Sequence, residues 1–392
     1  MSGLPSIPGI PGLPQSVISI QYQGGDISSL IQPNLKKLSY HDRISYQSDN
    51  LEFTIADPNG QFRNQFTFTS GTSLQFGLTG LNWAYPGEVV SANYGSFAIT
   101  RVGPSQSAAG SEIDIRCSTI PPGTSFRLEM KFQRWTQSTL NNIANQIVAD
   151  NPPLQLSYLA STDPFVAAME QYDESDFVFL SRIAQTVGMS MKIKDNTVII
   201  FSRKEFEAKP PKGTITFPPG EQLPGIPFDS SNSYGVNGVG GIESWSCSDN
   251  LDGIFKGCRV VIRSPHSGQT TTGFVDDPNS PPVGATLQKR QNIYPSSYPA
   301  AEAAPGQYYD GNQDMIQSAN EIAYNELRRR AEKRHSLQLT VPFCLKIESG
   351  DVWVCSGIGP DFDGNWINIE TEMSIGDSGS QTRGSFEKCL GW

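Results

Sequence analysis

Apolar residues occupy alternate positions in short runs over residues 16–135. Leu51, Phe53 and Ile55 are separated by Glu52 and Thr54, the two-residue period of a strand with one buried face. Val17, Ile18 and Ile20 open the series. Leu74, Phe76 and Leu78, then Phe97 and Ile99, Ile113 and Ile115, and Phe126, Leu128, Met130 and Phe132 continue it. Phe62, Phe66 and Phe68 lie between two of these runs. Asp57-Pro58-Asn59-Gly60 is a turn signal, because each of these residue types favours a chain reversal. Many short strands at this spacing predict a barrel or sandwich.

The period lengthens over 136–206. Leu140, Ile143, Ala144, Ile147 and Val148 share one helical face, and Asn151-Pro152-Pro153 stops that helix. A second helix is predicted from Ser175, which suits an N-cap, with Asp176 complementing the dipole. Its apolar face is Phe177, Leu180, Ile183, Ala184 and Val187, and Gly188 fits its end. Met189, Met191 and Ile193 then alternate, Asp195-Asn196 reverses the chain, and Val198 to Phe201 returns. This is a helix–helix–hairpin α+β insert.

Residues 207–392 read as β again. Leu337, Leu339 and Val341, then Val352 and Val354, then Trp366, Ile367 and Ile369 mark strands, with turns at Gly350-Asp351 and Asp363-Gly364. A long helix is predicted over about 314–335, with Ile316, Ala319, Ala323 and Leu327 on one face. Arg328, Arg329, Arg330, Lys333, Arg334 and His335 crowd its C-terminal end, where positive charge complements the dipole. Residues 218–241 and 264–312 are rich in Gly, Pro, Ser and Asn and lack a period, which predicts long loops or an insertion. At the other end, residues 1–15 space Leu4, Ile7, Ile10 and Leu13 with Pro and Gly. The recurring proline favours an extended or polyproline arm, apolar enough to dock on a partner.

Composition sharpens this picture. A length of 392 residues allows two or three domains. With 37 Gly, 28 Pro and 10% aromatics, the chain is turn-rich β rather than disordered. A net charge of −10 argues against coating a nucleic-acid duplex. No apolar run approaches the roughly 20 residues of a membrane span, and the N-terminus lacks the pattern of a secretory signal. The expectation is folding in the cytoplasm without stable membrane binding.

Candidate chemistry is sparse. Gly376-Asp377-Ser378-Gly379 matches the stretch around a trypsin-like nucleophile, but none of the three histidines lies in the sequence expected of its base. Asp361, Asp363, Asn365 and Glu372 fall at calcium-loop spacing, but Trp366 stands where the loop needs glycine. The acidic cluster Glu170, Asp173, Glu174 and Asp176 precedes a helix, which explains its charges without a glycosidase pair. Gly235, Gly238, Gly240 and Gly241 lack the Lys-Ser/Thr pair of a phosphate loop. The six cysteines contain no C-x-x-C. Cys247 and Cys258 lie symmetrically about Asp252-Gly253, and Cys344 and Cys355 about Ser349-Gly350. If both are two-residue hairpins, each pair faces across the strands within reach of a disulfide. Reduced thiols are the preferred reading for a cytoplasmic product. No catalytic, cofactor or metal residue is assigned. A long β-rich chain with so little catalytic signal reads as a scaffold, not an enzyme.

One segment is more specific. Ser175-Asp176-Phe177, Phe179-Leu180-Ser181-Arg182-Ile183-Ala184 and Gly188, followed by Lys192 to Phe201, resembles a segment of phage late control D proteins, the baseplate hubs of contractile tails. The type VI secretion spike protein carries a related segment in its N-terminal part. Leu51 to Asp57, Leu337 to Val341, Gly350 to Val354 and Gly364 to Ile369 resemble strands of that family in the same order. The resemblance implies a mainly β fold with two tube-type β-barrels: an arm over 1–15, a first barrel over 16–135, the α+β insert over 136–206, and a second barrel over 207–392. It implies a homotrimeric ring joining the sixfold tail tube to the threefold central spike, in the baseplate of a virion assembled in the host cytoplasm. The implied partners are the spike protein, the tail tube or a tube-initiator protein, baseplate wedge proteins and the tape measure protein, with DNA only in transit. The alternatives are the hub of a phage-tail-like secretion or injection particle, and a tail-tip cell-wall hydrolase. A surface adhesin with β-sandwich domains would need a secretion signal.

Overall fold

The alternating runs fold as six antiparallel strands: β1 (Gln15–Tyr22), β2 (Leu35–Arg43), β3 (Asn50–Ala56), β4 (Ser73–Leu81), β5 (Val89–Ser107) and β6 (Gly110–Ser118). They lie in the order β2-β3-β6-β5-β4-β1. Leu51, Phe53 and Ile55 share one core with Leu74, Phe76, Leu78, Phe97, Ile113 and Ile115. β5, 19 residues long, serves two partners, β4 with its first half and β6 with its second. Register shifts at Phe76/Gly77 and at Ile99/Arg101 bend it between them. The bend curls the sheet round Tyr40, Phe76, Tyr94 and Phe97, whose rings pack 4.2–6.1 Å apart. This computed structural model describes residues 13–45, 48–58, 60–64, 68–108, 110–120, 124–217, 235–236, 241–263, 270–279, 285–292, 312–377 and 379–392. Phe66 lies outside them.

The insert contains β7 (Lys131–Thr139), α1 (Leu140–Ala149), β8 (Gln155–Tyr158), β9 (Phe165–Glu174), α2 (Asp176–Thr186), β10 (Ser190–Lys194) and β11 (Thr197–Phe201). β7 and β9 form a two-stranded ribbon, and β10, β11 and β8 a three-stranded sheet. Leu140, Ile143, Ala144, Ile147 and Val148 of α1 share a core with Phe179, Leu180, Ile183 and Ala184 of α2. Ser175 caps α2 by accepting the Val178 N–H, as expected. Asp195 and Asn196 both adopt positive φ, 47° and 56°, as a tight hairpin turn between β10 and β11 requires.

The rest comprises α3 (Arg203–Glu207), β12 (Gly213–Thr216), β13 (Ser244–Asp249), β14 (Gly257–Arg263), β15 (Thr270–Asp276), β16 (Thr286–Asn292), α4 (Asn312–Ala331), β17 (His335–Pro342), β18 (Val352–Ser356), β19 (Gly364–Gly376) and β20 (Gly379–Lys388). A second six-stranded group runs β12-β18-β19-β20-β17-β13. Trp353, Trp366, Leu337, Leu339, Val341 and Phe386 lie in its core.

Several expectations change. The two barrels do not close: among the described residues both six-stranded groups belong to one 14-stranded sheet, because β19 pairs with strands of both. Within 264–312, predicted as long loops or an insertion, β15 and β16 are strands that flank β14 in a small sheet under α4. Their period is weak because α4 sits so close that Gly273 occupies the contact. A Cβ there would lie 2.3 Å from the Ala319 backbone carbon. The long helix ends at Ala331, and His335 opens β17; the Ile316 side chain is outside the described residues. Neither cysteine hairpin forms. Cys247 pairs across to Leu337 and Cys258 to Val275. Cys355 pairs to Gly364, while the Cys344 N–H is held by Thr382 Oγ1 at 2.8 Å. All six thiols are free. The run Leu128, Met130 and Phe132 does not face the core, because Ser125–Leu128 is a helical turn that buries Phe126 and hands the chain to the outward face of the ribbon.

Replacing Gly273 with Ala forces a methyl into backbone that cannot yield like a side-chain tip. The expected cost is about 1–3 kcal/mol. Hydrogen exchange should quicken in α4 and β14 while β3 and β6 keep their protection.

Candidate functional site

β19 is the joint of the molecule. One of its edges pairs along its length with β20. On the other edge Gly364 to Ile367 pair with β18, and Glu370 to Gly376 pair with β2 of the first group. The register shift between Asn368 and Glu370 falls where the partner changes, and the Ile369 carbonyl accepts the Ile44 N–H at 2.9 Å. On the surface of this seam, Arg43 Nε donates to Glu370 Oε1 at 3.0 Å, and His41 Nδ1 is 3.1 Å from the same oxygen.

Lys192 of β10 reaches into the joint from the insert. Its ammonium donates to the Asp42 carboxylate of β2 and to Ser349 Oγ at 2.9 Å, and stands 3.6 Å from Asp49 Oδ2. Asp42 Oδ2 also accepts the Ser349 N–H at 2.9 Å, and Asp49 Oδ1 accepts the Arg43 N–H at 3.0 Å. Lys192, Asp42 and Asp49 are all buried. One cation thus ties the first strand group, the insert and the loop before β18. Burial opposes every charge here. Burial raises Asp49 to about 7 against the pull of Lys192. For Asp42 burial is outweighed by Lys192 and Lys194, which hold it below its ordinary value. For Lys192 burial is outweighed by Asp42 and Asp49, which hold it above.

A second buried cluster holds α3, α4 and β20 together. Arg203 pairs with Glu207, Glu332 and Glu387 at 3.1, 3.4 and 2.6 Å, and Arg328 with Glu207 and Glu332 at 2.5 and 3.5 Å. Burial raises Glu332 to about 7, opposed by Arg203. Most of the basic run at the end of α4 is likewise paired within the chain. Arg329 and Arg330 pair with Glu326, and Arg334 with Asp249.

The other sequence candidates take structural places. Gly376 and Gly379 pair across the β19–β20 turn; Ser378 between them is outside the described residues. Asp363 accepts the Ile358 and Gly359 N–H groups, and Glu372 lies further along β19 beside Arg383. Asp176 is buried and accepts from Lys131, Asn151 and Gln171 at 2.6–2.9 Å, and Glu174 pairs with Arg182. Gly235 pairs with Thr216; Gly238 and Gly240 are outside the described residues. Of the arm, Leu4, Ile7 and Ile10 lie outside the described residues. Leu13 is exposed, and its carbonyl accepts from Asn82 Nδ2 at 3.0 Å. The Lys192 cluster was not expected. Its one signal is a lysine inside the fully buried run Ser190-Met191-Lys192-Ile193, where alternation had placed it outward.

One open strand edge remains. Among the described residues β13 has one partner, β17, whereas the outer edge of β1 is covered within the chain: Gln32 Oε1 accepts the Ile18 N–H at 2.8 Å, Ser28 Oγ accepts the Ile20 N–H at 2.8 Å, and the Ile20 carbonyl accepts the Ile27 N–H at 3.0 Å. This arrangement of two six-stranded groups about an α+β insert has counterparts among solved structures. A tail protein from Neisseria meningitidis MC58 superposes with a TM-score of 0.66, at 12% identity, over 95% of this chain and 96% of that one. The chain shares the fold of that tail protein. The 43 kDa tail protein of prophage MuSo2 from Shewanella oneidensis matches at a TM-score of 0.63 and 11% identity, over 96% and 99% of the two chains. A component of the Escherichia coli type VI secretion system, described as structurally similar to the T4 tail proteins gp27 and gp5, matches at 0.51 and 11%, over 90% and 73%. No protein-family model and no curated protein matches the sequence.

Lys192→Met leaves two buried carboxylates without their cation and should cost about 3–5 kcal/mol in unfolding free energy at pH 7. Asp49→Asn acts differently. Asp49 is raised to about 7 from 3.8, so the folded state binds the extra proton between those values. Stability from this group is present below pH 4 and is lost as pH rises through 7. Glu332 has the same sign, so the comparison is between chains. From pH 5 to pH 8 the wild type should lose more stability than Asp49→Asn in urea titrations.

Proposed function

We propose that this chain is a structural hub of a phage tail baseplate, acting as a homotrimeric ring between the sixfold tail tube and the threefold central spike. The observation that carries the reading is the doubled six-stranded group joined through β19, in a chain that matches a tail protein over 95% of its length. In this reading residues 16–135 and 207–392 are two tube-type modules, 136–206 is the insert between them, and 1–15 is a docking arm. Three chains then present six modules on the tube side while keeping threefold symmetry on the spike side. The open edge of β13 would find a partner strand in a neighbouring subunit, which removes the aggregation hazard of an open edge. Heterologous contacts of this kind close into a ring when the rotation allows. The remaining partners are wedge proteins, the tape measure protein and DNA in transit, for which a net charge of −10 disfavours adhesion. The chain's place is the tail of a virion assembled in the host cytoplasm, and its role is structural rather than enzymatic. The match to a type VI secretion component favours one second reading, the hub of a phage-tail-like secretion particle.

Light scattering behind a sizing column tests the ring. The expected mass is three times the 42.8 kDa of one chain, either alone or after co-expression with a spike protein of the same particle. A monomer under both conditions would overturn the proposal.

A further inference from the structure

The ribbon of the insert carries an aromatic surface that the joint does not use. β7 and β9 pair only with each other among the described residues. One face of the ribbon packs inward, with Trp135 stacked on Phe179 of α2 at 6.0 Å and Gln171 bonded to Asp176. On the other face Phe132 and Tyr172 stand directly opposite each other, edge to face at 5.1 Å and 88°. They are 68% and 74% exposed, and Leu128 and Met130, which lead into β7, are 60% and 57% exposed. Asp173, at φ 49°, is the extra residue of a bulge that separates this aromatic pair from the salt-bridged end of β9. Large apolar side chains clustered in this way mark an interaction surface.

The sequence contains a segment of matching chemistry. Leu4-Pro5, Ile7-Pro8, Ile10-Pro11 and Leu13-Pro14 repeat an apolar residue and a proline every three positions, and residues 1–14 carry no charged side chain. A polyproline helix has three residues per turn, so in that conformation the repeat would set Leu4, Ile7, Ile10 and Leu13 on one edge with the prolines on the next. Polyproline segments dock against exposed aromatic rings and lose little entropy in doing so. The segment ends at Leu13, where Asn82 holds its carbonyl and Trp83 Nε1 donates to the Gln15 carbonyl at 2.9 Å. Twelve residues at about 3.1 Å each reach about 37 Å beyond that anchor, enough to cross a module of ordinary size. We propose that the arm of one chain docks on the Leu128–Met130–Phe132–Tyr172 face of a second copy. The second copy rests on the ring proposed above; the chemistry of the docking face does not.

The test separates these. A fluorescent peptide of residues 1–14 is titrated into the full chain carrying Ile7→Asp and Ile10→Asp, whose own arm no longer competes. Saturable binding that weakens at least tenfold when Phe132→Ser and Tyr172→Ser are added is the expected result. No binding, or binding indifferent to those two substitutions, overturns the docking face. In parallel, Ile10→p-benzoylphenylalanine in the full chain should photo-cross-link to residues 127–134 or 169–173 of another chain. Cross-links confined to one chain overturn the second-copy assignment. Peptide binding together with a wild-type chain that stays monomeric both alone and with the spike protein upholds the docking face while overturning the ring.

Discussion

The pairing of β19 with both strand groups is the constraint on which the rest of the molecule depends. A strand edge can be shared along its length only if the partner changes without a break in hydrogen bonding. The register shift after Asn368 provides that change, and Ile44 takes up the Ile369 carbonyl that would otherwise be left unpaired. Because the groups share backbone hydrogen bonds rather than side-chain contacts alone, neither can rotate against the other without breaking the sheet.

The buried ions extend that rigidity to the insert. Lys192 is worth little as an isolated attraction, since burying a cation costs about as much as a good pair returns. Its value is geometric: only the assembled joint offers two carboxylates and the Ser349 hydroxyl at once. The Arg203–Arg328 cluster does the same for α3, α4 and β20. Both joints are satisfied in one arrangement and leave buried charges unpaired in any other.

The surface then divides by role. The arginines at the end of α4 are paired with carboxylates of the same chain. What stays open is backbone, along β13, and apolar, along the ribbon. Both are the kinds of surface that an assembly covers.

Local periodicity was legible in the sequence. The two-residue pattern of Leu51, Phe53 and Ile55 and the helical faces of α1 and α2 follow from which side chains avoid water, and a nearby residue suffices to state them. Ser175, Gly188 and Asp195-Asn196 were legible for the same reason, because caps and tight turns are set within a few residues. The sequence therefore determined a mainly β chain with an α+β insert. Which strands pair was decided only in three dimensions: β2 and β19 are more than 300 residues apart, and no local pattern encodes their register. The cysteine hairpins failed on that point, since symmetric spacing does not oblige adjacent strands to pair. Lys192 and the exposed Phe132 were misplaced for a related reason. Alternation says which residues share a face, and only the packed structure decides which face is inside.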